Sequence, residues 1–182
     1  MTGTGRTGDP TTGSGAVVVT TPSAGETRRL AGAVAALCGP GDVLLLAGDL
    51  GAGKTTFAQG FAAGLGITDA VTSPTFVLVH QYPVPGPGPL RVLLHADVYR
   101  LEHLREIADL GLAELVDDGG VALVEWGDAA EPVLGTGALL VGLAPSGDDE
   151  GAREITVAPT DDAWSGRWPA LVSILAPWGV YR

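Results

Sequence analysis

The 182-residue sequence predicts an α/β fold of three layers, in which a mixed, mostly parallel central sheet lies between two layers of helices. Apolar runs at 42–47 and 121–125 are typical of strands buried on both faces, as in parallel sheets covered by helices. The composition agrees, because 46% of the residues are hydrophobic but only 5% are aromatic. A core made mostly of Ala, Val, Leu and Ile suits such strands under Ala-rich helices.

The chain has the length of one domain with a short extension. Residues 1–15 consist almost entirely of Gly, Thr, Ser and Pro, and such a segment has too little apolar surface to offset the entropy lost on ordering. We therefore predict a disordered N-terminal tail at 1–15 and a single domain at 16–182.

The first part of this domain alternates strand and helix patterns. The run at 16–20 predicts a strand, and Ser23 with Glu26 three residues later forms a capping box for a helix that extends to about Cys38. After the apolar run that begins at residue 42, a Gly-rich turn leads into a second helix that starts at Lys54.

The remainder of the chain continues this alternation. In order, it predicts strands at 76–82 and 90–97, two short helices within 101–118 broken near Gly111, a strand at 121–125, a hairpin of 138–144 and 153–159, and a closing helix at about 161–176. The prolines at 83–89 cannot lie inside a sheet, so the strands on either side are expected to form an antiparallel pair. Pro169 is expected either to interrupt or to kink the closing helix.

The strongest motif is a phosphate-binding loop. Gly48, Gly53, Lys54 and Thr55 match the pattern G-x-x-x-x-G-K-[ST], in which backbone N–H groups surround phosphate, the lysine reaches the β and γ phosphates and the hydroxyl binds Mg²⁺. A chance Gly-rich turn is the alternative. The strand directly before the motif and the helix directly after it favour a P-loop NTPase fold, and the positive end of the helix dipole would assist anion binding.

The nucleotide is expected to be ATP. GTP-specific switches usually recognise guanine through an Asn-Lys-x-Asp element, and Lys54 is the only lysine in the chain. An ATPase also needs a carboxylate near the phosphates to hold Mg²⁺ and to orient water. Two predicted strands end in candidates, Asp97 and Glu125. Either one could instead be a helix cap or a solvated strand end; we assign Glu125 to the metal and Asp97 to the water or to a second metal contact.

Charge and composition exclude other classes. The formal net charge is −11 without a basic cluster, so direct binding to nucleic acid is not expected. Any contact with RNA would be made through a partner protein. Cys38 is the single cysteine, which rules out an internal disulfide and indicates a buried structural thiol. The sequence has neither a signal peptide nor an apolar run long enough to span a bilayer, so we expect a cytoplasmic protein.

Four segments together resemble the TsaE (YjeE) family, bacterial ATPases needed to make N6-threonylcarbamoyladenosine at position 37 of tRNAs. These segments are GDLGAGKTTFAQGFAAGLG, TSPTF, HADVYRL and LVEWGD, and the resemblance spans about residues 22–158. It implies weak ATP hydrolysis with Mg²⁺, action together with the TsaB and TsaD proteins, and contact with tRNA only through those partners. In this scheme TsaD transfers the threonylcarbamoyl group and ATP hydrolysis resets the complex.

The resemblance also implies roles for particular residues. Nucleotide contacts are implied for Thr27, Asp49, Leu50, Gly51, Ala52, Gly53, Lys54, Thr55, Thr56, Trp126 and Arg153; magnesium contacts for Thr55, Asp97 and Glu125; and catalytic roles for Lys54, Asp97 and Glu125. Thr72 to Phe76 resemble the switch segment of the family, with an ordinary Ser-Pro turn as the alternative.

Several of these residues have a structural alternative. Thr27 either approaches the base or is structural, Trp126 either borders the nucleotide or packs, and Arg153 lies either at the adenine end or at an exposed strand start. Arg100 either stabilises transition-state charge or pairs with the acidic helix that follows. His95 is expected to be satisfied by packing and one hydrogen bond.

Two other functions share a phosphate loop. A small-molecule kinase would need a substrate pocket and usually a basic lid, and the sequence contains no Arg-rich lid segment. A nucleotide-dependent binding switch without significant hydrolysis would control a partner through its conformation, and this alternative partly merges with the family resemblance.

Overall fold

The computed structural model describes residues 15–101, 103–147 and 149–181. The tail predicted at 1–15 therefore lies, except for Gly15, outside the described residues. Within the described ranges, no helix combines the length and the apolar character that crossing a membrane requires.

Seven strands form one sheet. They are β1 (Val17–Thr21), β2 (Val43–Ala47), β3 (Val79–Pro83), β4 (Val92–Asp97), β5 (Gly120–Glu125), β6 (Leu139–Pro145) and β7 (Arg153–Pro159). Their order is β1-β7-β6-β2-β5-β4-β3. The four central strands β6, β2, β5 and β4 run parallel, whereas the β1–β7, β7–β6 and β4–β3 pairs are antiparallel. The predicted mixed sheet, parallel at its centre, is confirmed.

Helices cover both faces of this sheet. They are α1 (Ala24–Ala35), α2 (Lys54–Gly64), α3 (Leu104–Asp109), α4 (Leu112–Asp117), α5 (Gly127–Leu134) and α6 (Trp168–Leu175). Side chains alternate along a strand, so Leu44 and Leu46 of β2 pack into the core with α1, α2 and α6, while Val43 and Leu45 pack into the core with α3, α4 and α5. The three-layer α/β/α architecture is confirmed.

Three boundary predictions are wrong, and two of them involve a proline. The strand expected to begin at Phe76 begins at Val79, because the carbonyl of Pro74 accepts the N–H groups of Val77 and Leu78 and closes a turn there. The closing helix does not run through 161–176: a 3-10 turn occupies Asp162–Trp164 and α6 begins at Trp168. Pro169 lies in the first turn of α6, where its missing N–H has no intrahelical partner to lose.

Only half of the predicted capping box of α1 is present: Ser23 Oγ accepts the N–H of Glu26 at 3.2 Å, whereas the Glu26 carboxylate accepts from Arg29 and Trp178. The helix ends at Ala35, three residues before the predicted end at Cys38. The predicted helix break at Gly111 is also present, because this glycine has a φ of 66° between α3 and α4.

The helices α1 and α2 are in close contact through glycines. Gly64 faces Gly32 so closely that a methyl group on Gly64 would lie 2.6 Å from the Gly32 Cα, and a methyl group on Gly60 would lie 2.7 Å from the carbonyl carbon of Arg28. These contacts fix α2, which begins at the phosphate loop, against α1.

Replacing Gly60 with alanine is therefore expected to lower the free energy of unfolding by about 1 to 3 kcal/mol, because the added methyl overlaps backbone that cannot rotate away. The control is Gly25→Ala, at which the added methyl meets only Ser23 Oγ at 3.7 Å. Its free energy of unfolding should stay unchanged or rise by up to about 1 kcal/mol through better helix propensity. Urea unfolding of both variants measures the difference, and equal stabilities would contradict the packing argument.

The C-terminal segment is tied to the start of β2 by an ion pair. Arg167 donates to both carboxylate oxygens of Asp42, at 2.6 and 2.7 Å, and to the carbonyl of Leu37 at 3.1 Å. Its guanidinium lies 3.9 Å from the ring centre of Trp164, which is fully buried. This arrangement holds residues 160–181 against the sheet and α1.

Cys38 lies beside this ion pair and is partly exposed, so the prediction of a buried residue is only partly correct. Its thiol donates to the carbonyl of Val34 at 3.4 Å. Burial raises the pKa of the Cys38 thiol above its usual value, and the Asp42 carboxylate raises it further.

Because the thiolate is the reactive form, a raised pKa leaves less of it at pH 8. We expect the native protein to react with a disulfide reagent at least about ten times more slowly than the urea-unfolded protein. Spectrophotometric labelling at pH 8 in both states measures the ratio, and equal rates would show that the thiol is not protected.

Candidate active site

The phosphate loop lies at the carboxyl edge of the parallel strands. It follows β2 directly, and the neighbouring strands β5 and β4 end at the same edge with Glu125 and Asp97. These two carboxylate residues are paired across the strands, and Glu125 is also opposite Leu46 of β2. Open α/β sheets bind their ligands at this edge.

The backbone of the loop needs glycine. Gly48, Gly51 and Gly53 have φ values of 138°, 81° and 109°, in the region that side chains with a Cβ rarely adopt. Because the loop is tight, α2 begins directly at the site, with Lys54 as its first residue. The predicted order of strand, glycine loop and helix is thus confirmed.

The ammonium group of Lys54 is held by the loop and by an aromatic ring. Its Nζ donates to the carbonyls of Gly48 and Asp49, at 2.6 and 2.8 Å, and lies 3.9 Å from the ring centre of Trp126. Lys54 is only 5% exposed. Burial lowers the pKa of Lys54, while nearby carboxylates, Glu125 first, oppose this shift.

Glu125 joins α2 to β4. Its Oε1 accepts hydrogen bonds from Thr55 Oγ1 at 2.9 Å and, in the buried interior, from His95 Nε2 at 2.8 Å. His95 is fully buried with this one hydrogen bond, as predicted.

The residues at this point fit a magnesium ion. Mg²⁺ prefers oxygen ligands and binds proteins through one or two carboxylates together with phosphate oxygens and water. The Thr55 hydroxyl and the Glu125 carboxylate, which are hydrogen-bonded to each other at 2.9 Å and both line the cavity described below, supply oxygen atoms of this kind.

Asp97 is tied to the segment predicted to be a switch. Its Oδ2 accepts from Thr75 Oγ1 at 2.8 Å and from Ser73 Oγ at 3.2 Å, and its Oδ1 accepts from the N–H of Tyr99 at 2.9 Å. The Ser73 and Thr75 hydroxyls also lie 2.8 Å from each other. A buried carboxylate thus connects residues 73–75 to the end of β4.

A cavity of about 410 Å³ opens between these elements. The predicted site residues that line it are Leu50, Gly51, Gly53, Lys54, Thr55, Thr56, Asp97, Glu125 and Trp126, and Ser73, Thr75 and Tyr99 complete its wall. Ser73 and Thr75 belong to the predicted switch segment 72–76, but the sequence did not assign them to the wall of the cavity, and it did not single out Tyr99. The hydroxyl residues of TSPTF and the tyrosine two positions after Asp97 were the signals that could have identified them.

A smaller cavity of about 110 Å³ shares Gly53 and Thr56 with the first. The predicted residues Thr27 and Arg153 line this second cavity. The Thr27 hydroxyl is already bonded to Thr21 Oγ1 at 2.8 Å, so Thr27 has a structural role whatever else it contacts.

Arg153 holds the phosphate loop from outside. Its Nε donates to the carbonyl of Ala52 at 2.7 Å and its Nη2 to the carbonyl of Gly51 at 3.2 Å. Arg153 is the first residue of β7, as the alternative considered from the sequence had it, but it is only partly exposed and is hydrogen-bonded to the loop. The predicted contact residues Asp49 and Ala52 take part through their carbonyls, which accept from Lys54 and Arg153.

Aromatic side chains form the outer rim. The rings of Tyr99 and Trp126 lie 4.6 Å apart, so Trp126 both borders the cavity and packs against a neighbour. The guanidinium of Arg100 lies 4.6 Å from the ring centre of Phe76, a contact that neither sequence alternative for Arg100 anticipated. Phe76 is 85% exposed and Tyr99 62% exposed.

The site combines a glycine-rich loop between a central strand and a helix with a buried lysine, a hydroxyl and two strand-end carboxylates around one cavity. These features define an α/β protein of the P-loop class. The model of the family described as "Threonylcarbamoyl adenosine biosynthesis protein TsaE" matches residues 21–155. The chain belongs to the TsaE family, as its four motifs suggested.

Individual relatives agree with this assignment. The tRNA threonylcarbamoyladenosine biosynthesis protein TsaE of Bacillus subtilis is 51% identical over 131 residues, which cover 72% of this chain and 78% of that protein. The protein of the same name from Streptomyces coelicolor is 40% identical over 152 residues, covering 82% and 99%. The crystal structure of Bacillus subtilis YdiB superposes with a TM-score of 0.69 at 40% identity, over 89% of this chain and 95% of that one.

Proposed function

We propose that this protein is a Mg²⁺-dependent ATPase that takes part in forming N6-threonylcarbamoyladenosine in tRNA. The observation that carries the proposal is the pairing of Thr55 with Glu125 at 2.9 Å in the cavity that also contains Lys54 and Asp97. Support for the pathway comes from family membership and from the relatives named for this biosynthesis.

Each residue has a distinct task in this proposal. Lys54 exchanges the loop carbonyls that it now contacts for phosphate oxygens, which are stronger acceptors because they are charged. Thr55 and Glu125 would hold Mg²⁺, which would supply positive charge to the phosphate oxygens. The N-terminus of α2 and the N–H groups of the loop add to the positive field.

Asp97 orients the attacking water. A carboxylate oxygen accepts about two hydrogen bonds; Oδ2 already accepts two from hydroxyls, while Oδ1 accepts the Tyr99 N–H and retains capacity for a water. The water oxygen forms a bond to the γ phosphorus as the bond to the β–γ bridging oxygen breaks, and the proton that the water loses passes to the phosphate produced or to solvent. ADP and inorganic phosphate are the products.

The same contacts favour a switching role alongside hydrolysis. The Ser73 and Thr75 hydroxyls donate hydrogen bonds to the Asp97 carboxylate, which would face the γ phosphate. Loss of that phosphate would therefore change the position of residues 73–75 and of the exposed Phe76 and Val77 that follow them. A partner contacting this segment would then distinguish the ATP state from the ADP state.

TsaB and TsaD homologues are the proposed partners, and tRNA is contacted only through them. The net charge of −11 supports the indirect contact, because a protein of this charge without a basic cluster is repelled by tRNA phosphates. ATP hydrolysis would reset the complex between turnovers.

The test is ATP hydrolysis by the purified protein, alone and with its own TsaB and TsaD homologues and tRNA. We expect weak hydrolysis alone, stimulation by the partners, and modified adenosine that accumulates over many turnovers when nucleosides are quantified by mass spectrometry. Transfer of phosphate to a small metabolite, without binding to these partners, would instead establish a kinase.

A further inference from the structure

His95 is a buried polar residue that the proposed ATPase mechanism does not use. It lies in β4, the strand beside the edge strand β3, opposite Leu123 of β5 and His80 of β3, and it is 0% exposed. Within the part of the chain that the structure describes, its Nδ1 is buried and has no hydrogen-bond partner. An apolar side chain would avoid this loss, because a buried polar atom without a partner is destabilising.

The other ring nitrogen explains why a histidine is placed there. His95 Nε2 lies 2.8 Å from Glu125 Oε1. A carboxylate only accepts hydrogen bonds, so Nε2 carries the hydrogen and donates it. The unpartnered Nδ1 is then an acceptor, which is less costly to leave unpaired than an N–H donor.

Glu125 is consequently restrained from two directions. Thr55, on α2, donates to Oε1 from the side of the phosphate loop, and His95, in β4, donates to the same oxygen from within the sheet. The His95 bond is the more rigid of the two, because a fully buried ring between two strands has little freedom to rotate.

We propose that His95 is a positioning residue that fixes the Glu125 carboxylate in the orientation needed to hold a divalent cation beside the nucleotide. This inference rests on the proposed function. Outer-sphere partners of metal-binding carboxylates orient those ligands, and their loss typically weakens metal affinity about 10- to 100-fold. His95 does not contact the cavity itself, so its effect passes through Glu125.

Two substitutions separate the hydrogen bond from simple packing. His95→Phe keeps a ring of similar size but removes the donor, whereas in His95→Gln the side-chain amide nitrogen can take roughly the place of Nε2. His95→Asn replaces the Phe variant if that protein does not fold, because its amide is too short to reach Glu125. Thermal melting establishes which variants are folded.

The measurement is the affinity of Mn²⁺, as a spectroscopic substitute for Mg²⁺, for the protein saturated with a non-hydrolysable ATP analogue, followed by electron paramagnetic resonance. We expect His95→Phe to weaken Mn²⁺ binding about 10- to 100-fold and His95→Gln to restore most of it. Binding of the analogue in EDTA should be the same in all variants. In a Glu125→Gln background, the further change to Phe should have little effect on Mn²⁺.

The outcomes distinguish the two proposals. Wild-type Mn²⁺ affinity in a folded His95→Phe variant would overturn the positioning role and leave the ATPase proposal intact. If the wild-type protein itself bound the analogue equally well with and without the metal, the proposed Mg²⁺-dependent function would be refuted, and with it the positioning role of His95.

Discussion

A Lys54→Ala variant is expected to bind ATP at least about 100-fold more weakly than the wild-type protein, a loss of about 3 kcal/mol. Lys54 is the only lysine in the chain, and its ammonium is enclosed by the phosphate loop and Trp126 at the start of α2. A hydrogen bond between two charged groups contributes about 1.5 to 3 kcal/mol, and the lysine would make at least one to the phosphates. Isothermal titration calorimetry with ATP and Mg²⁺ measures this loss.

The Lys54→Arg variant serves as a control for charge alone. It keeps the positive charge but replaces a compact ammonium with a planar group that does not fit between the Gly48 and Asp49 carbonyls and the Trp126 ring, so partial loss of affinity is expected. In cells that depend on this gene, Lys54→Ala should also abolish threonylcarbamoyladenosine formation. Normal levels of the modified nucleoside with this variant would refute the proposed mechanism.

Asp97→Asn is expected to reduce the rate of ATP hydrolysis about 100- to 1,000-fold while ATP affinity changes only a few-fold. The asparagine keeps the size of the side chain but loses the charge that would orient the attacking water. It also replaces one carboxylate oxygen with an N–H₂ group. That group cannot accept the hydrogen bonds that the lost oxygen accepted, whether from Ser73 and Thr75 or from the Tyr99 N–H. Phosphate release at saturating ATP and Mg²⁺, in the presence of the partners, gives the rate.

Asp128→Asn is the matched control, because it removes the same charge near Lys54 without lining the cavity. Its hydrolysis rate should stay within about two-fold of wild type, as expected for an exposed carboxylate. A parallel Mg²⁺ titration decides the role of Asp97: unchanged Mg²⁺ dependence supports water orientation, whereas weakened dependence identifies a second metal contact. A wild-type hydrolysis rate for Asp97→Asn would exclude both roles.

The fold was predictable wherever the signal is local. The apolar run of β2, the glycines of the loop and the helical spacing of α2 are adjacent in sequence, so the strand, loop and helix could be identified together. Asp97 and Glu125 could be placed side by side because parallel strands bring their carboxyl ends to one edge of a sheet. ATP, Mg²⁺ and the partner proteins remain predictions.

Local signals failed where two interpretations share the same residues. The apolar letters of FVLV indicate a strand, but the turn closed by the Pro74 carbonyl takes the N–H groups of Val77 and Leu78 and leaves Phe76 exposed. Pro169 indicated a break or a kink within a helix, yet it lies in the first turn of α6.

The sequence by itself determined the α/β order of elements, the phosphate loop, the strand-end carboxylates and the family. Only the tertiary structure decided which side chains restrain the phosphate loop and the strand-end carboxylates. Arg153 reaches the loop carbonyls from a strand about 100 positions later, and His95 reaches Glu125 from a neighbouring strand, 30 positions earlier. Such contacts depend on how strands are ordered and registered in the sheet and on which face each side chain takes. Those properties arise from the packing of the whole core rather than from any short segment.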